Sequence, residues 1–336
     1  MKNPESLSRS MKLIEPELIN SVKRLSDKLL PVIEYHFGWM NIDGKKIPND
    51  SGKRLRPALA VLSAEAVGAE GNVAVPGAVA VEMIHNFSLI HDDIIDGDTE
   101  RRHRPSAWAA FSIEDALIAG DALHTLAFQV LLSENTPARN HAAVRLVEAT
   151  TTMIAGQASD MTFDDMPTVS FEDCLEMEAA KTGALLGYAS SVGAVLAGAD
   201  PKSYEALQIF GHELGLAYQA VDDVLGIWGD PIVTGKPAGN DLREKKKSMP
   251  VAIILSSDNS ISEQLIDIYK SPERLSNEEV TRVSSLIEEA GGRELTLAEA
   301  DKRLNKAIES LNKAEIQESV FEELKEVAHF VVDRDS

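Results

Sequence analysis

The chain has 336 residues, 44% of them hydrophobic and 26% charged, with a formal net charge of -21. That balance is globular and long enough for one large core, and so acidic a surface repels nucleic-acid backbones and anionic membranes, which sets nucleic acid aside as a partner. Cys174, the one cysteine, excludes an intrachain disulfide and suits a reducing, cytoplasmic setting.

The N-terminal stretch "MKNPESLSRSMKLIEPE" lacks the apolar core of a signal peptide, and no window reaches the roughly 20 continuous apolar residues of a membrane span, so neither leader nor span is expected. A break over 43–52 leads into "GKRLRP", a first basic group of Lys53, Arg54 and Arg56. The apolar "SLIH" then runs into "DDIID", and a break over 97–105 carries "ERRHRP" with Arg101, Arg102 and Arg104. In "DALHTLAFQVLL", Leu123, Leu126, Ala127, Val130 and Leu131 follow the period of one helix face. Further breaks fall at 133–138 and 160–169. "SFED" at 170–173 reads as a capping box with Ser170 as N-cap and Asp173 in place of the usual Glu. It opens a helix through "CLEMEAAKTGALLGYASSVGAVLAG", whose small residues permit close backbone approach and whose Lys181 stands among apolar neighbours. "GLAYQAVDDVL" is helical again, with Leu214, Ala217, Tyr218, Val221 and Leu225 on one face. The last basic group, in "GKPAGNDLREKKKSMP", holds Lys236, Arg243, Lys245, Lys246 and Lys247. Breaks at 229–241, 256–261 and 291–292 are too short for a domain linker. Strand signals are scarce and no solenoid period recurs. The expected fold is all-α: a single domain over 1–336, of ten or more helices.

Chemistry enters through charge. Asp92 and Asp96 are four apart and share a helix face, with Asp93 about 100° round. Hard divalent cations take such oxygen ligands, and Mg2+ commonly binds one or two carboxylates together with substrate phosphate. Asp222 and Asp223 form a second acidic pair, three and four residues after Gln219. Arginine forks suit phosphate oxygens, and lysine supplies a mobile point charge. Each group alone also reads as a solvated helix end or a solvated cationic patch. Taken together they fit a ligand with several phosphates bridged by metal ions.

In order and spacing, "GKRLRP", "IHNFSLIHDDIID", "RRHRP", "KTGALL", "YQAVDDVLG" and "GKPAGNDL…KKKSMP" resemble the trans-isoprenyl diphosphate synthases of the polyprenyl synthetase family, from about residue 50 to 250 and onward. The resemblance implies helices around a deep central cavity and a homodimer. It implies ionisation of an allylic diphosphate, attack by isopentenyl diphosphate on the carbocation, and loss of a proton. By motif position Asp92 and Asp96 bind Mg2+, Asp93 supports them, and Asp222 holds a further metal from the facing helix. Arg101, Lys181 and Lys236 bind the allylic diphosphate; Lys53, Arg56, His85 and Arg102 bind isopentenyl diphosphate. Thr182 and Gln219 lie near the reacting carbons, and Lys246 closes over the diphosphate. The lack of a Ser-His-Asp or Cys-His pattern agrees, since the reaction needs no protein nucleophile.

Two departures stand out: Gly226 where the family often has Asp, and Ser51 where it often has Gly. Phe87 and Ser88, five and four residues before Asp92, lie roughly 6–8 Å down the helix, at the level that sets the pocket floor in this family. A bulky residue beside a small one, with no insertion in the acidic motif, resembles synthases stopping at twenty carbons: geranylgeranyl diphosphate, with farnesyl diphosphate next and longer polyprenyl products after it. A terpene cyclase would share the acids but not the isopentenyl-diphosphate set, and a non-catalytic subunit tends to lose the first acidic motif. A different class, the di-iron helical bundle, is suggested by Glu82–His85 and Glu326–His329, both Glu-x-x-His; it leaves the cations unexplained.

Overall fold

The structure, a computed structural model, describes residues 4–47, 54–230, 239–271 and 273–333. The elements run α1 (Glu5–Val22), α2 (Leu30–His36), α3 (Leu55–Ala66), a 3-10 turn (Gly71–Ala74) leading into α4 (Val75–Ile95), β1 (Glu100–Arg101), β2 (Arg104–Pro105), α5 (Ala107–Ala110), α6 (Ile113–Leu131), α7 (Pro137–Asp164) and α8 (Phe171–Glu178). A π turn (Ala179–Gly183) joins α8 to α9 (Ala184–Leu196), and α10 (Pro201–Trp228) follows. Then come α11 (Asn240–Arg243), α12 (Met249–Leu255), α13 (Ser260–Lys270), α14 (Asn277–Glu289), α15 (Gly292–Leu311) and α16 (Glu318–Val332). The all-α expectation holds.

Helix boundaries follow local chemistry. Ser112, Thr136, Ser170 and Asp200 each accept a hydrogen bond from a first-turn N–H, and a proline opens α7 and α10. Ser170 caps α8 as the sequence indicates, and its hydroxyl also donates to Asp173 Oδ2 at 2.6 Å. The expected single helix from Cys174 is interrupted by the π turn. The expected break at 160–169 begins later, because α7 continues to Asp164.

The hairpin β1–β2 is the other difference. Its two-residue turn, Arg102–His103, has φ of 52° and 58°, the left-handed region that matches the twist of paired strands but is costly for residues other than glycine and asparagine. Without an Asn-Gly or Asp-Gly pair, it left no turn signal.

Helices α3, α4, α9 and α10 form the centre. Leu59, Leu62, Met83, Ile84 and Phe210 are fully buried there, each worth about 1.5–3 kcal/mol of burial. The small residues of α9 act as expected: a Cβ added at Gly193 would stand 2.0 Å from the Ala60 carbonyl oxygen, so α3 and α9 meet backbone to backbone. The segment Gly71–Ile95 has no run of roughly 20 continuous apolar residues, though it holds an 18-residue window apolar enough on average to cross a membrane by length and composition alone. Yet 61% of that window is buried inside the protein, as in a core helix.

Candidate active site

The central helices enclose a cavity of about 740 Å³, lined from α3, α4, the hairpin, α7, the π turn and α10. Asp92, Arg56, His85, Arg101, Arg102, Lys181, Thr182, Gln219, Asp222, Phe87 and Ser88 all line it. Lys53 and Lys236 lie outside the described residues.

The first acidic motif divides its labour. Asp92 faces the cavity, and burial first, then Asp96, pushes its carboxyl up to about 6 against the pull of Lys181. Asp96 caps the end of α4, and Lys246 Nζ lies 3.4 Å from its Oδ2. Lys246 thereby reaches the acids from 150 residues away; burial opposes its charge, but Asp96 and Asp241 outweigh burial and hold it above the ordinary lysine value. Asp93 is fully buried and turned away from the cavity's acids. Arg101 Nε donates to both of its oxygens, at 2.8 and 2.9 Å, and Nη2 approaches Oδ1 at 2.7 Å. Trp108 Nε1 donates to the Asp93 carbonyl at 2.9 Å. Asp93 therefore anchors Arg101 and the hairpin. Removing one partner of so buried a pair costs about 3–5 kcal/mol. Asp93→Ala is expected to lower Tm sharply and to weaken binding of any ligand that needs Arg101, read by thermal unfolding and by KM.

Two turns before Asp92 on α4, His85 Nε2 accepts from Arg56 Nη1 of α3 at 3.3 Å. Burial, then Arg56 and Arg102, pushes His85 well below its ordinary value, so the ring is neutral at neutral pH. Beside them Arg54, not assigned a role from the sequence, lines the cavity from a left-handed N-cap (φ 48°) and pairs with Glu82 at 3.5 Å.

Lys181 owes its position to the π turn. Gly156 of α7 lies against it so closely that an added Cβ would be 2.4 Å from the Lys181 backbone nitrogen. Lys181 Nζ meets Asp160 Oδ2 at 2.6 Å. Asp160 has no role legible in the sequence alone; its signal is the Asp160–Asp164 pair at helical spacing, which the expected break over 160–169 conceals. Thr182 Oγ1 donates to Gln219 Oε1 at 2.9 Å, and Gln219 Nε2 donates to Asp223 Oδ1 at 2.8 Å, so the π turn and α10 are linked at the cavity wall.

Gly226 also has a physical account. A Cβ there would stand 2.0 Å from Asp241 Oδ2, so another carboxylate already occupies the space beside this turn of α10. Gly226→Asp must displace Asp241 and set like charges together. Its effect on turnover is expected to be far smaller than that of Asp92→Ala, and in the direction of loss; steady-state rates of the two variants check this.

Among the described residues no three metal-ligating side chains already converge as a closed cage. Asp92 and Asp96 on α4 and Asp222 on α10 still suit a hard cation that completes its shell with phosphate oxygens. The di-iron reading does not survive: Glu82 faces Arg54, Glu326 is exposed on α16, and His329 turns toward Asp333 at 3.6 Å.

A helical shell that brings acids from two helices and arginines and lysines from four elements to one deep cavity is the architecture of enzymes that handle prenyl diphosphates. Residues 39–288 match the family model of polyprenyl synthetase. The chain is 42% identical to the (2E,6E)-farnesyl diphosphate synthase of Mycobacterium tuberculosis, over 98% of this chain and 92% of that one. It is 39% identical to a geranylgeranyl diphosphate synthase of the same organism, over 88% and 85%. Among solved structures, a polyprenyl synthetase from Streptomyces coelicolor superposes with a TM-score of 0.92 at 47% identity, covering 97% of this chain and 98% of that one. A polyprenyl synthase from Caulobacter crescentus, complexed with calcium and isoprenyl diphosphate, superposes at 0.83 with 29% identity and full coverage of both. The chain belongs to the polyprenyl synthetase family and is a trans-prenyltransferase.

Proposed function

We propose that the protein condenses isopentenyl diphosphate with allylic diphosphates in a Mg2+-dependent elongation that ends chiefly at geranylgeranyl diphosphate. The observation that carries this reading is the distribution of charge in one cavity. Asp92 on α4 and Asp222 on α10 line it, and Asp96 caps α4 one turn beyond Asp92. Arg101 and Lys181 act on Asp92, and Arg56 and Arg102, with neutral His85 beside them, form a second cationic group in the same cavity. Two diphosphates need two such cradles; a terpene cyclase, with one diphosphate, has no use for the second.

In this reading Asp92, Asp96 and Asp222 hold Mg2+, which when bound neutralises the allylic diphosphate and stabilises it as it departs. Arg101, Lys181, Lys236 and Lys246 bind that diphosphate, and Lys53, Arg56, His85 and Arg102 bind isopentenyl diphosphate. The allylic C–O bond breaks with its electron pair leaving on the diphosphate, the isopentenyl double bond attacks the cation, and the resulting cation gives up a proton to the departed diphosphate anion. Neutral His85 donates or accepts a hydrogen bond without competing for that proton. Leu185, Leu186 and Met153 keep the cation's surroundings apolar, which limits quenching by water.

Product length rests on Phe87 and Ser88. Phe87 packs edge to face on His91 (4.8 Å) and His124 (5.0 Å), and His124 on Phe128 (5.3 Å), so its ring is backed from α6. Ser88 folds its hydroxyl onto the His85 carbonyl at 2.9 Å and leaves space beside it. The farnesyl and geranylgeranyl relatives are similarly near in sequence and do not decide between products.

The expected homodimer has support in α6 and α7, where Ile113, Leu117, Ile118, Val144, Val147 and Ile154 are exposed apolar side chains at helical spacing. A cytoplasmic setting fits the buried, unpaired Cys174. The direct test is incubation of purified protein with Mg2+, labelled isopentenyl diphosphate and farnesyl diphosphate, followed by chromatography of dephosphorylated products. A twenty-carbon alcohol is expected; absence of any longer prenyl product across several allylic primers would sink the reading.

A further inference from the structure

Three consecutive lysines, Lys245, Lys246 and Lys247, stand between α11 and α12, and the structure sends them to three different places. Lys246 Nζ meets the acids, 3.4 Å from Asp96 Oδ2. Lys245 is 8% exposed, and its Nζ donates to the Ile268 carbonyl at 2.9 Å and the Ser271 carbonyl at 2.6 Å, at the end of α13. Lys247 is 7% exposed, and its Nζ donates at 3.1 Å to the carbonyl of Asp164, the last residue of α7. Carbonyls at the end of a helix lack intrahelical partners and carry the negative end of its dipole. An ammonium group there satisfies itself and the carbonyls together, which a buried lysine requires.

The backbone is fixed to match. The Lys245 N–H donates to the Leu242 carbonyl at 3.0 Å and the Lys246 N–H to the Asp241 carbonyl at 2.9 Å, the bond pair of a Schellman turn that closes α11. Such a turn needs a left-handed residue at the position of Lys245, where glycine is usual, and Lys245 adopts it with φ of 57°. Lysine carries a steric cost there that glycine would not, and the side chain that brings the cost is the one bonded to α13. Tyr269 of α13 touches both remaining lysines: its hydroxyl donates to the Lys246 carbonyl at 3.4 Å, and Lys247 Nζ lies 5.8 Å from the centre of its ring. Two residues further on, the Met249 N–H donates to Asp223 Oδ2 at 2.7 Å.

We propose that Lys245 and Lys247 are positioning residues for Lys246. They tie the chain on either side of it to the ends of α13 and α7, so that of three identical side chains the middle one is directed at Asp96. A lysine that closes on a ligand from a loose segment loses backbone and rotamer freedom at that moment. Here the backbone share is lost on folding, and the charge is preorganised. The inference rests on the proposed role of Lys246 at the allylic diphosphate for its kinetic consequence, and on the hydrogen bonds alone for the anchoring.

Lys245→Gly keeps the left-handed turn while removing one anchor, and Lys247→Met removes the other. Hydrogen exchange of the full-length protein reads the anchoring without any activity: the backbone amides of Lys246 and Met249 should exchange about 5-fold faster in each variant. Unchanged exchange in both would overturn the proposal. Kinetics read what the anchoring is for. Each variant should lower kcat/KM for the allylic diphosphate by about 5- to 20-fold and leave KM for isopentenyl diphosphate within about 2-fold. In a Lys246→Met background the same substitutions should change kcat/KM by less than about 2-fold, because nothing is left to position. An equal loss in both backgrounds, as a merely structural role would give, overturns the positioning role. So does wild-type kcat/KM in both flanking variants when Lys246→Met alone is impaired. Faster exchange together with an unimpaired Lys246→Met leaves the anchoring standing and removes the diphosphate role of Lys246.

Discussion

Asp92→Ala and Asp96→Ala are each expected to lower turnover by at least about 10²-fold, since a bound metal contributes several kcal/mol of transition-state stabilisation. Asp92 lines the cation-lined cavity and Asp96, one turn on at the end of α4, meets Lys246; neither has a duty in the core that would confuse loss of chemistry with loss of fold. Chelation of divalent ions should bring the wild type to the level of the variants, and added Mg2+ should restore only the wild type. The same site makes a stability prediction with a definite sign. The Asp92 carboxyl sits at about 6 in the folded protein against an ordinary 3.8. The folded state thus keeps this proton longer than the unfolded state, and metal-free stability falls as pH rises between those values and stays lower above them. In chelator, Asp92→Asn should raise Tm at about pH 8 and leave it little changed at about pH 4. Equal Tm values at the higher pH would show that the carboxylate is already compensated without metal.

Phe87→Ala is expected to shift the main product to chains longer than twenty carbons, and Ser88→Phe to shift it to fifteen. The first removes a ring that is held by His91 and His124 and so cannot simply swing aside. The second places a ring where Ser88 now turns a small hydroxyl back on its own helix. The effect should appear in product distribution more than in the rate of the first condensation, because the substitutions lie roughly 6–8 Å down α4 from Asp92. Chromatography of dephosphorylated products decides it; unchanged distributions in both variants would remove the basis for a twenty-carbon product.

The sequence exposes this site well because most of its residues announce themselves by local spacing. Asp92 and Asp96 share a face whatever else the fold does. Lys181 among alanines and glycines is conspicuous, as is Gln219 ahead of paired acids. What stays hidden depends on partners distant in the chain. Nothing near Asp93 says that Arg101 will turn back to hold it, or that it will be withdrawn from the acids it accompanies. Asp160 acquires meaning only when α7 passes the π turn. Gly226 looks like a lost ligand until Asp241, fifteen residues on, is seen against it. Arg102 and His103 carry no turn signature, so the hairpin that presents Arg102 to the cavity is invisible to a search for asparagine and glycine.

The π turn at Ala179–Gly183 sets the phase of the whole α8–α9 rod. One residue more than a regular turn requires is accommodated there, which offsets the two halves by about 100° of rotation and about 1.5 Å of rise relative to an unbroken helix. Cys174 and Met177 before the offset, and Leu185, Leu186 and Ala189 after it, face the core only because of that offset. Deletion of a single residue within 179–183 is therefore a frameshift in three dimensions: the local backbone would become more regular, while one half of the rod would present the wrong side to every neighbour. Length variation among close relatives should avoid this stretch and fall instead in the connections, such as the one between α6 and α7.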